Sequence, residues 1–287
     1  MASVDELVHE ARRRLAGAPF QPPLREARLL LGRVLGWSEA QVLARGERAV
    51  DDESASHYRA LVVRRLTGEP VAYLLGEREF YGRTFRVDPR VLIPRPETEH
   101  LVEAALVALD PMSPVEGSGA REPRVLDVGT GSGCVAVTLA LERPGARVTA
   151  TDLSPGALAV AVANARRLAA PVLFAATDVA AALDVSRFDL VVSNPPYVDP
   201  EAAATLSPEV RDFEPAGALF AARRGEAMIG RLLELGRNLH SKSILAVEIG
   251  LGQLEAVVGR AAEGPFTVVE VRKDYAGIPR VVVLSRD

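Results

Sequence analysis

The sequence predicts a doubly wound α/β domain preceded by a small helical bundle, and three observations carry that prediction. After residue 123, short apolar runs alternate regularly with helical patterns. The last two runs are joined only by "YAGIP", too short for a crossover helix, so they are expected to pair antiparallel. Ahead of this region, residues 1–68 read as helix. A chain of 287 residues has room for one large domain and a smaller one.

The elements follow in order. "SVDELVHEARRRL" opens with a capping box, Ser3 and Glu6, and places Leu7 and Leu15 on one helical face. "PPLREARLLLGRVLG" starts a helix on proline and ends it at Gly36. "SEAQVLARG" repeats the box with Ser38 and Gln41, and "DDESASHYRALVVRRLTG" ends at Gly68. From 70 to 93 aromatics alternate with charges around Gly82, which predicts a β-hairpin. "PRPETEHLVEAALVALD" returns to helix, and "PMSPVEGSGAREP" at 111–123 reads as an exposed connection. The expected division is a bundle over 1–68, a connecting hairpin over 69–93 and the α/β domain over 94–287.

Within that domain the strand candidates are "RVLDVGTG", "ARVTATDLS", "VLFAATD", "FDLVVSN" and "SILAVEIG", followed by the pair "FTVVEVRKD" and "RVVVLS". Continuous apolar runs of this kind suit a parallel sheet covered on both faces. Five parallel strands and a terminal hairpin make seven.

Composition narrows the function classes. The net charge is −4, with 34 basic residues scattered among 38 acidic ones and no basic stripe for nucleic acid. Cys134 is the only cysteine, which excludes an internal disulfide and makes a reducing compartment the default. His9, His57, His100 and His240 show no metal-ligand spacing, so no metal is expected. No segment has signal-peptide character or the ~20 apolar residues of a membrane span. The chain reads as cytoplasmic, without a membrane or nucleic-acid partner and as a monomer.

The first chemical motif is "VLDVGTGSGCVAV", a strand running through glycines into a helix. Gly129 and Gly131 permit positive φ and close ligand approach, and the helix N-terminus directs free N–H groups to the same spot. A tight turn without a ligand is the plain alternative. Asp152 ends the second strand, 21 positions after Gly131, where a carboxylate can accept ribose hydroxyls; it also fits a helix cap. Asp127 lies inside the first strand, and a buried carboxylate is costly unless paired; a cationic ligand would explain it. Asp178 and Val179 close the third strand, beside an adenine ring or in an ordinary loop.

The second motif is "SNPPYV" at 193–198. Pro195 and Pro196 hold the residues before them extended and lack N–H groups, so the turn offers carbonyl acceptors without competing donors. Asn194 adds a side-chain acceptor, and Tyr197 adds a flat ring. Together they suit a planar group carrying NH₂, two acceptors for its hydrogens and one face for stacking. Fixing both hydrogens turns a delocalised lone pair toward an incoming methyl group.

These motifs resemble the amino-methyltransferases that use S-adenosylmethionine. More narrowly, the chain resembles the PrmC/HemK family, which methylates a glutamine side-chain amide in peptide chain release factors. The likeness runs through 64–87, "VLIPRPETEHLVE", "EPAGAL", "VEIGLGQ" and "KDYAGIPR". It implies a Rossmann-like class I methyltransferase domain and S-adenosylmethionine as cofactor. It further implies that Asp127, Val128, Gly129, Thr130 and Gly131 line the methionine and ribose portion. Asp152 would bind ribose, and Asp178 and Val179 the adenine, with Asn194 bordering the cofactor. Asn194, Pro195, Pro196 and Tyr197 would hold the substrate glutamine, with Asn194, Pro195 and Tyr197 catalytic. Arg95 and Glu97 would belong to a wall between the domains, and the bundle would dock the release factor and present its Gly-Gly-Gln loop. Val179 stands where members often carry an aromatic residue, which bears on cofactor affinity, and "FAARRGEAM" replaces a usual Asp-Gly pair.

Other classes compete. Methylation of the exocyclic amine of adenine shares "NPPY" but needs a basic groove and a target-recognition insertion, and neither is visible. A nicotinamide oxidoreductase fits the G-x-G-x-x-A frame of "GSGCVA" and leaves "NPPY" unexplained. A non-catalytic binding protein would never pass a methyl group to any substrate.

Overall fold

The computed structural model describes residues 1–17, 22–112, 121–222 and 225–287. The expected connection at 111–123 therefore falls mostly outside the described residues, as do Arg223 and Arg224 of "FAARRGEAM". The chain forms two compact units. One comprises Met1–Glu77 with Ser207–Phe213, the other Arg78–Leu206 with Glu214–Asp287.

The first unit holds helices Val4–Leu15, Pro23–Leu35, Glu39–Ala44, Asp52–Leu66 and Val71–Leu75. Both capping boxes form: Ser3 Oγ accepts from Glu6 N at 3.2 Å while Glu6 Oε2 accepts from Ser3 N at 2.7 Å, and Ser38 and Gln41 repeat the exchange. Gly36 closes the second helix at φ 66°. Leu7, Leu15, Leu30, Leu31 and Tyr58 fill the core. The turn of helix at 71–75 was not expected, and it confines the hairpin to β1 (Glu77–Phe80) and β2 (Arg83–Arg86). Tyr81 and Gly82 between them both take positive φ, as a tight two-residue hairpin turn requires.

Among the described residues Arg65 is the largest fully buried side chain. Its Nε and Nη2 donate to the two Glu26 oxygens at 2.9 and 3.0 Å. Nη2 also donates to Glu209 at 2.7 Å, which ties Ser207–Phe213 into the helical unit.

The second unit contains a seven-stranded sheet. Its strands are β3 (Arg124–Val128), β4 (Arg147–Asp152), β5 (Val172–Ala176), β6 (Leu190–Ser193), β7 (Ile244–Glu248), β8 (Phe266–Lys273) and β9 (Pro279–Arg286). The order is β5-β4-β3-β6-β7-β9-β8; the first five strands run parallel, and β9 pairs antiparallel with both β7 and β8. This is the predicted fold class, with the terminal hairpin inserted so that its second strand lies against β7.

Alternation along each strand divides the core between the two faces. Val125, Leu190 and Ala246 join one cluster, while Leu126, Val191 and Leu245 join the other. β5 departs from the expectation of two covered faces because it is the sheet edge, where Leu173 is exposed. The chain winds outward from β3 in one direction through β4 and β5 and in the other through β6 and β7. A crevice therefore opens at the carboxyl ends of β3 and β6.

Replacing Arg65 by leucine strands Glu26 in the bundle core without its cation. Equilibrium denaturation is expected to show a loss of about 3–5 kcal/mol, with Arg65→Leu combined with Glu26→Leu recovering most of it. Equal losses in the single and double variants would contradict a paired core charge.

Candidate active site

The crevice is a cavity of about 520 Å³, within the roughly 300–1,000 Å³ typical of small-molecule sites. Every residue lining it belongs to the second unit. Asp127, Val128, Gly129, Thr130 and Gly131 line it, as do Asp152, Asp178 and Val179. So do Asn194, Pro195 and Pro196. Tyr197 does not: its hydroxyl is turned to Glu248 Oε1, 3.4 Å away, and its ring lies against Gly250.

The glycine turn is built by backbone bonds. Gly129 N and Thr130 N both donate to Thr151 O at 2.9 Å, curling the chain as it leaves β3. Gly129 and Gly131 have φ of 75° and 54°, and a Cβ on either would meet only open space. The cradle is thus left for a ligand. Gly133, at φ 81°, serves packing instead, since a Cβ there would approach Ala161 Cβ to 3.1 Å. Buried Asn164 fixes the loop further by donating to Ser132 O at 2.9 Å while bonding both backbone groups of Arg86.

Two carboxylates flank this cradle. Asp127 is buried, and its Oδ2 accepts from Thr130 Oγ1 at 2.7 Å and from Ala136 N at 3.2 Å. It therefore caps the helix Cys134–Glu142, a role that needs no ligand. Its Oδ1 has no hydrogen-bond partner among the described residues. Burial pushes its carboxyl up to about 7, against the pull of those two bonds. A ligand cation would be welcome there. Asp152 accepts from Gly131 N at 2.9 Å and Ser154 N at 2.8 Å, one bond on each oxygen, which leaves lone pairs for hydroxyl donors.

At the far wall Asp178 pairs with Arg231 at 2.9 Å, and that hydrogen bond holds its carboxyl below the usual range. Val179 takes φ 57°, unusual for a β-branched residue, and its carbonyl is held by Thr151 Oγ1 at 2.7 Å. Cys134 is no nucleophile: burial pushes its thiol up to about 12. No group of three His, Cys, Asp or Glu residues suited to a metal ion occurs among the described residues.

The turn after β6 faces this cradle because β6 lies next to β3, with Asp127 in register with Val192. Ser193 Oγ donates to Val128 O at 2.7 Å and locks the two strand ends together. The carbonyls of Pro195 and Pro196 accept no hydrogen bond among the described residues. Asn194 Nδ2 donates to Thr98 Oγ1 at 2.9 Å, which fixes the amide so that Oδ1 remains the free acceptor. Asn194 Oδ1 and the carbonyls of Pro195 and Pro196 are thereby left as acceptors on residues that line the cavity.

Three residues that serve this arrangement had no role in the reading of the sequence. Thr98 orients Asn194. Glu214, buried, accepts from Arg95 Nη2 at 2.5 Å and from Ile93 N at 3.1 Å, joining "IPRPETE" to "EPAGAL" and holding Arg95 in the cavity wall. Glu248, buried at the end of β7, meets Tyr197. The available signal was a charge ending an apolar strand in "LAVEIG", as in "VLDVG".

Comparison with known proteins gives the following. Residues 6–76 match the PrmC N-terminal domain and 112–211 the methyltransferase small domain. The release factor glutamine methyltransferase of Koribacter versatilis is 43% identical over 277 residues, covering 95% of each chain. That of Bordetella pertussis is 46% identical over 262 residues, covering 90% of this chain and 93% of its own. Among solved structures, the hMettl16 catalytic domain in complex with a MAT2A 3′UTR hairpin aligns with TM-score 0.54 at 15% identity over 93% of this chain and 92% of that one. The Thermus thermophilus 16S rRNA N2 G1207 methyltransferase, in complex with AdoMet and guanosine, aligns with TM-score 0.50 at 20% identity over 74% of this chain and 50% of that one. Both are likenesses of fold.

Asp127 and Glu248, the latter also raised to about 7 by burial, bind protons more tightly folded than unfolded. From their ordinary values of 3.8 and 4.5 up to about 7 the folded state holds more protons, so their contribution to stability falls as pH rises through that window. Each can steepen the fall by up to about 1.4 kcal/mol per pH unit. Urea unfolding of the ligand-free protein is expected to depend less on pH between about 5 and 7 in Asp127→Asn than in the parent. Identical slopes would count against a buried, protonatable Asp127.

Proposed function

The chain belongs to the release factor glutamine methyltransferase family, and on that premise we propose that it methylates the side-chain amide of the glutamine in the Gly-Gly-Gln loop of class 1 release factors. The observation that carries the reading is the pair of fixed acceptors, Asn194 Oδ1 and Pro195 O, at the rim of a cavity with an open glycine cradle. S-adenosylmethionine, when bound, supplies an electrophilic methyl group on a sulfonium centre.

The residues present fit that cofactor. Gly129 and Gly131 give room for its backbone approach, Asp152 offers free lone pairs to ribose hydroxyls, and Asp127 Oδ1 suits a cationic amine. Val179, with Asp178 beside it, covers the adenine end.

On the substrate side, an amide nitrogen is a weak nucleophile because its lone pair is delocalised into the carbonyl. Asn194 Oδ1 and Pro195 O accept its two hydrogens and rotate the lone pair toward the cavity. Both acceptors are held by the chain before substrate arrives, so no reorganisation is needed in the reaction. The lone pair would form the new N–C bond as the methyl–sulfur bond breaks, its electron pair staying on sulfur to leave a neutral thioether, and the now acidic nitrogen would release its surplus proton to water. No strong base is required ahead of transfer. Tyr197 contributes from behind, through its packing on Gly250 and its hydroxyl on Glu248, in place of stacking on the substrate.

The helical unit, matched by the PrmC N-terminal domain, supplies the docking surface for the release factor. A release factor substrate places the reaction in the cytoplasm, and no helix among the described residues is long and apolar enough to cross a membrane. The adenine-amine reading is not favoured, because the likeness to nucleic-acid methyltransferases is one of fold, at 15–20% identity.

Asn194→Ala is expected to lower methyl transfer to release factor by roughly 10²-fold or more while cofactor affinity stays within a few-fold of the parent. Asp152→Ala is expected to reverse that pattern, weakening cofactor binding by roughly tenfold or more. Mass spectrometry of the loop glutamine and calorimetry with cofactor measure the two effects. An Asn194→Ala enzyme with parental turnover would refute the acceptor mechanism.

A further inference from the structure

Glu248 is a buried carboxylate that the amide-holding mechanism leaves unused. It ends β7, is 1% exposed, and its Oε2 has no hydrogen-bond partner among the described residues. Burying such a group costs stability unless it is paired and fully hydrogen-bonded. The hydroxyls of Thr98 and Tyr197 face it, and those are the residue bonded to Asn194 and the residue that ends the Asn-Pro-Pro turn.

The geometry points to Glu248 as the positioning residue that sets which end of the Asn194 amide faces the substrate. A carboxylate is only an acceptor. Facing it, the Thr98 hydroxyl directs its single hydrogen to Glu248 and can offer Asn194 only lone pairs. Asn194 must then turn Nδ2 to Thr98, at 2.9 Å, and Oδ1 to the cavity. Without the carboxylate, Thr98 is free to donate to Asn194 Oδ1. The amide can then flip and present two donors where the substrate nitrogen needs an acceptor. The inference rests on the proposed amide-nitrogen reading of the site.

A neutral carboxyl at 248 still offers Thr98 a carbonyl acceptor, as a glutamine does, so the constraint outlasts protonation. The groups that act on its titration come from several elements. Glu97 raises it, Arg280 and the Thr98 and Tyr197 hydroxyls lower it, and the buried Cys134 thiol senses its charge. Arg280 is itself paired with Asp274 at 2.8 Å.

The test compares Glu248→Gln with Glu248→Leu. Glutamine keeps an acceptor for Thr98, while leucine fills the volume and keeps none. Glu248→Leu is expected to fold with undiminished stability, bind cofactor normally and lose roughly 10²-fold in kcat with little change in KM. Glu248→Gln is expected to restore most of that loss. A second readout needs no substrate. The sequence has three asparagines, Asn164, Asn194 and Asn238, so [¹⁵N]asparagine labelling yields three side-chain amide pairs. The Asn194 pair is expected to keep its parental shifts in Glu248→Gln and to move in Glu248→Leu. Parental kcat in Glu248→Leu, or an Asn194 pair indifferent to both substitutions, overturns the inference. A parent that fails to methylate release factor while its Asn194 pair behaves as described refutes the substrate reading alone.

Discussion

The site depends on one constraint, the parallel register of β3 with β6. Asp127 stands beside Val192, and Ser193 Oγ is bonded to Val128 O at 2.7 Å. Because the chain winds away from these strands in opposite directions, a crevice opens at their carboxyl ends. The glycine turn leaves one strand and the Asn-Pro-Pro turn leaves the other, so a one-residue slip would exchange the side chains of the two buried faces and also separate the two halves of the site. Apolar burial on both faces of the sheet enforces the register. The stability of the core and the geometry of the chemistry are therefore set by the same side chains.

Around that junction the protein places charge where burial opposes it. Asp127 and Glu248 both sit at strand ends facing the crevice region, each only partly satisfied by hydroxyl and amide donors. Their partners divide the work. Asp127 caps a helix with one oxygen and keeps the other available, while Glu248 orders a hydroxyl that in turn orders an amide. Arg65 in the helical unit is a different case, since three carboxylate contacts from Glu26 and Glu209 neutralise it and fasten a distant segment of chain.

Much of this was legible in the sequence. Capping boxes, the glycine turn, seven strand candidates and the "NPP" turn are local patterns, and local geometry follows from local chemistry. The sheet's terminal hairpin was readable from the shortness of "YAGIP". Illegible were the features that depend on tertiary contact. Thr98, Asn194 and Glu248 come from three separate segments, and no spacing rule links them. The direction of the Tyr197 ring follows from its packing beside Gly250 and its hydroxyl on Glu248, which no local pattern encodes. The exposed face of β5 follows from strand order, which sequence alone leaves open.

The most direct measurement is a crystal structure with S-adenosylhomocysteine and a glutamine-bearing release factor loop. The account predicts the glutamine nitrogen within about 3 Å of both Asn194 Oδ1 and Pro195 O, with the thioether sulfur beyond the nitrogen on the cavity side. A glutamine amide lodged elsewhere, or an Asn194 whose Nδ2 points at the substrate, would contradict it.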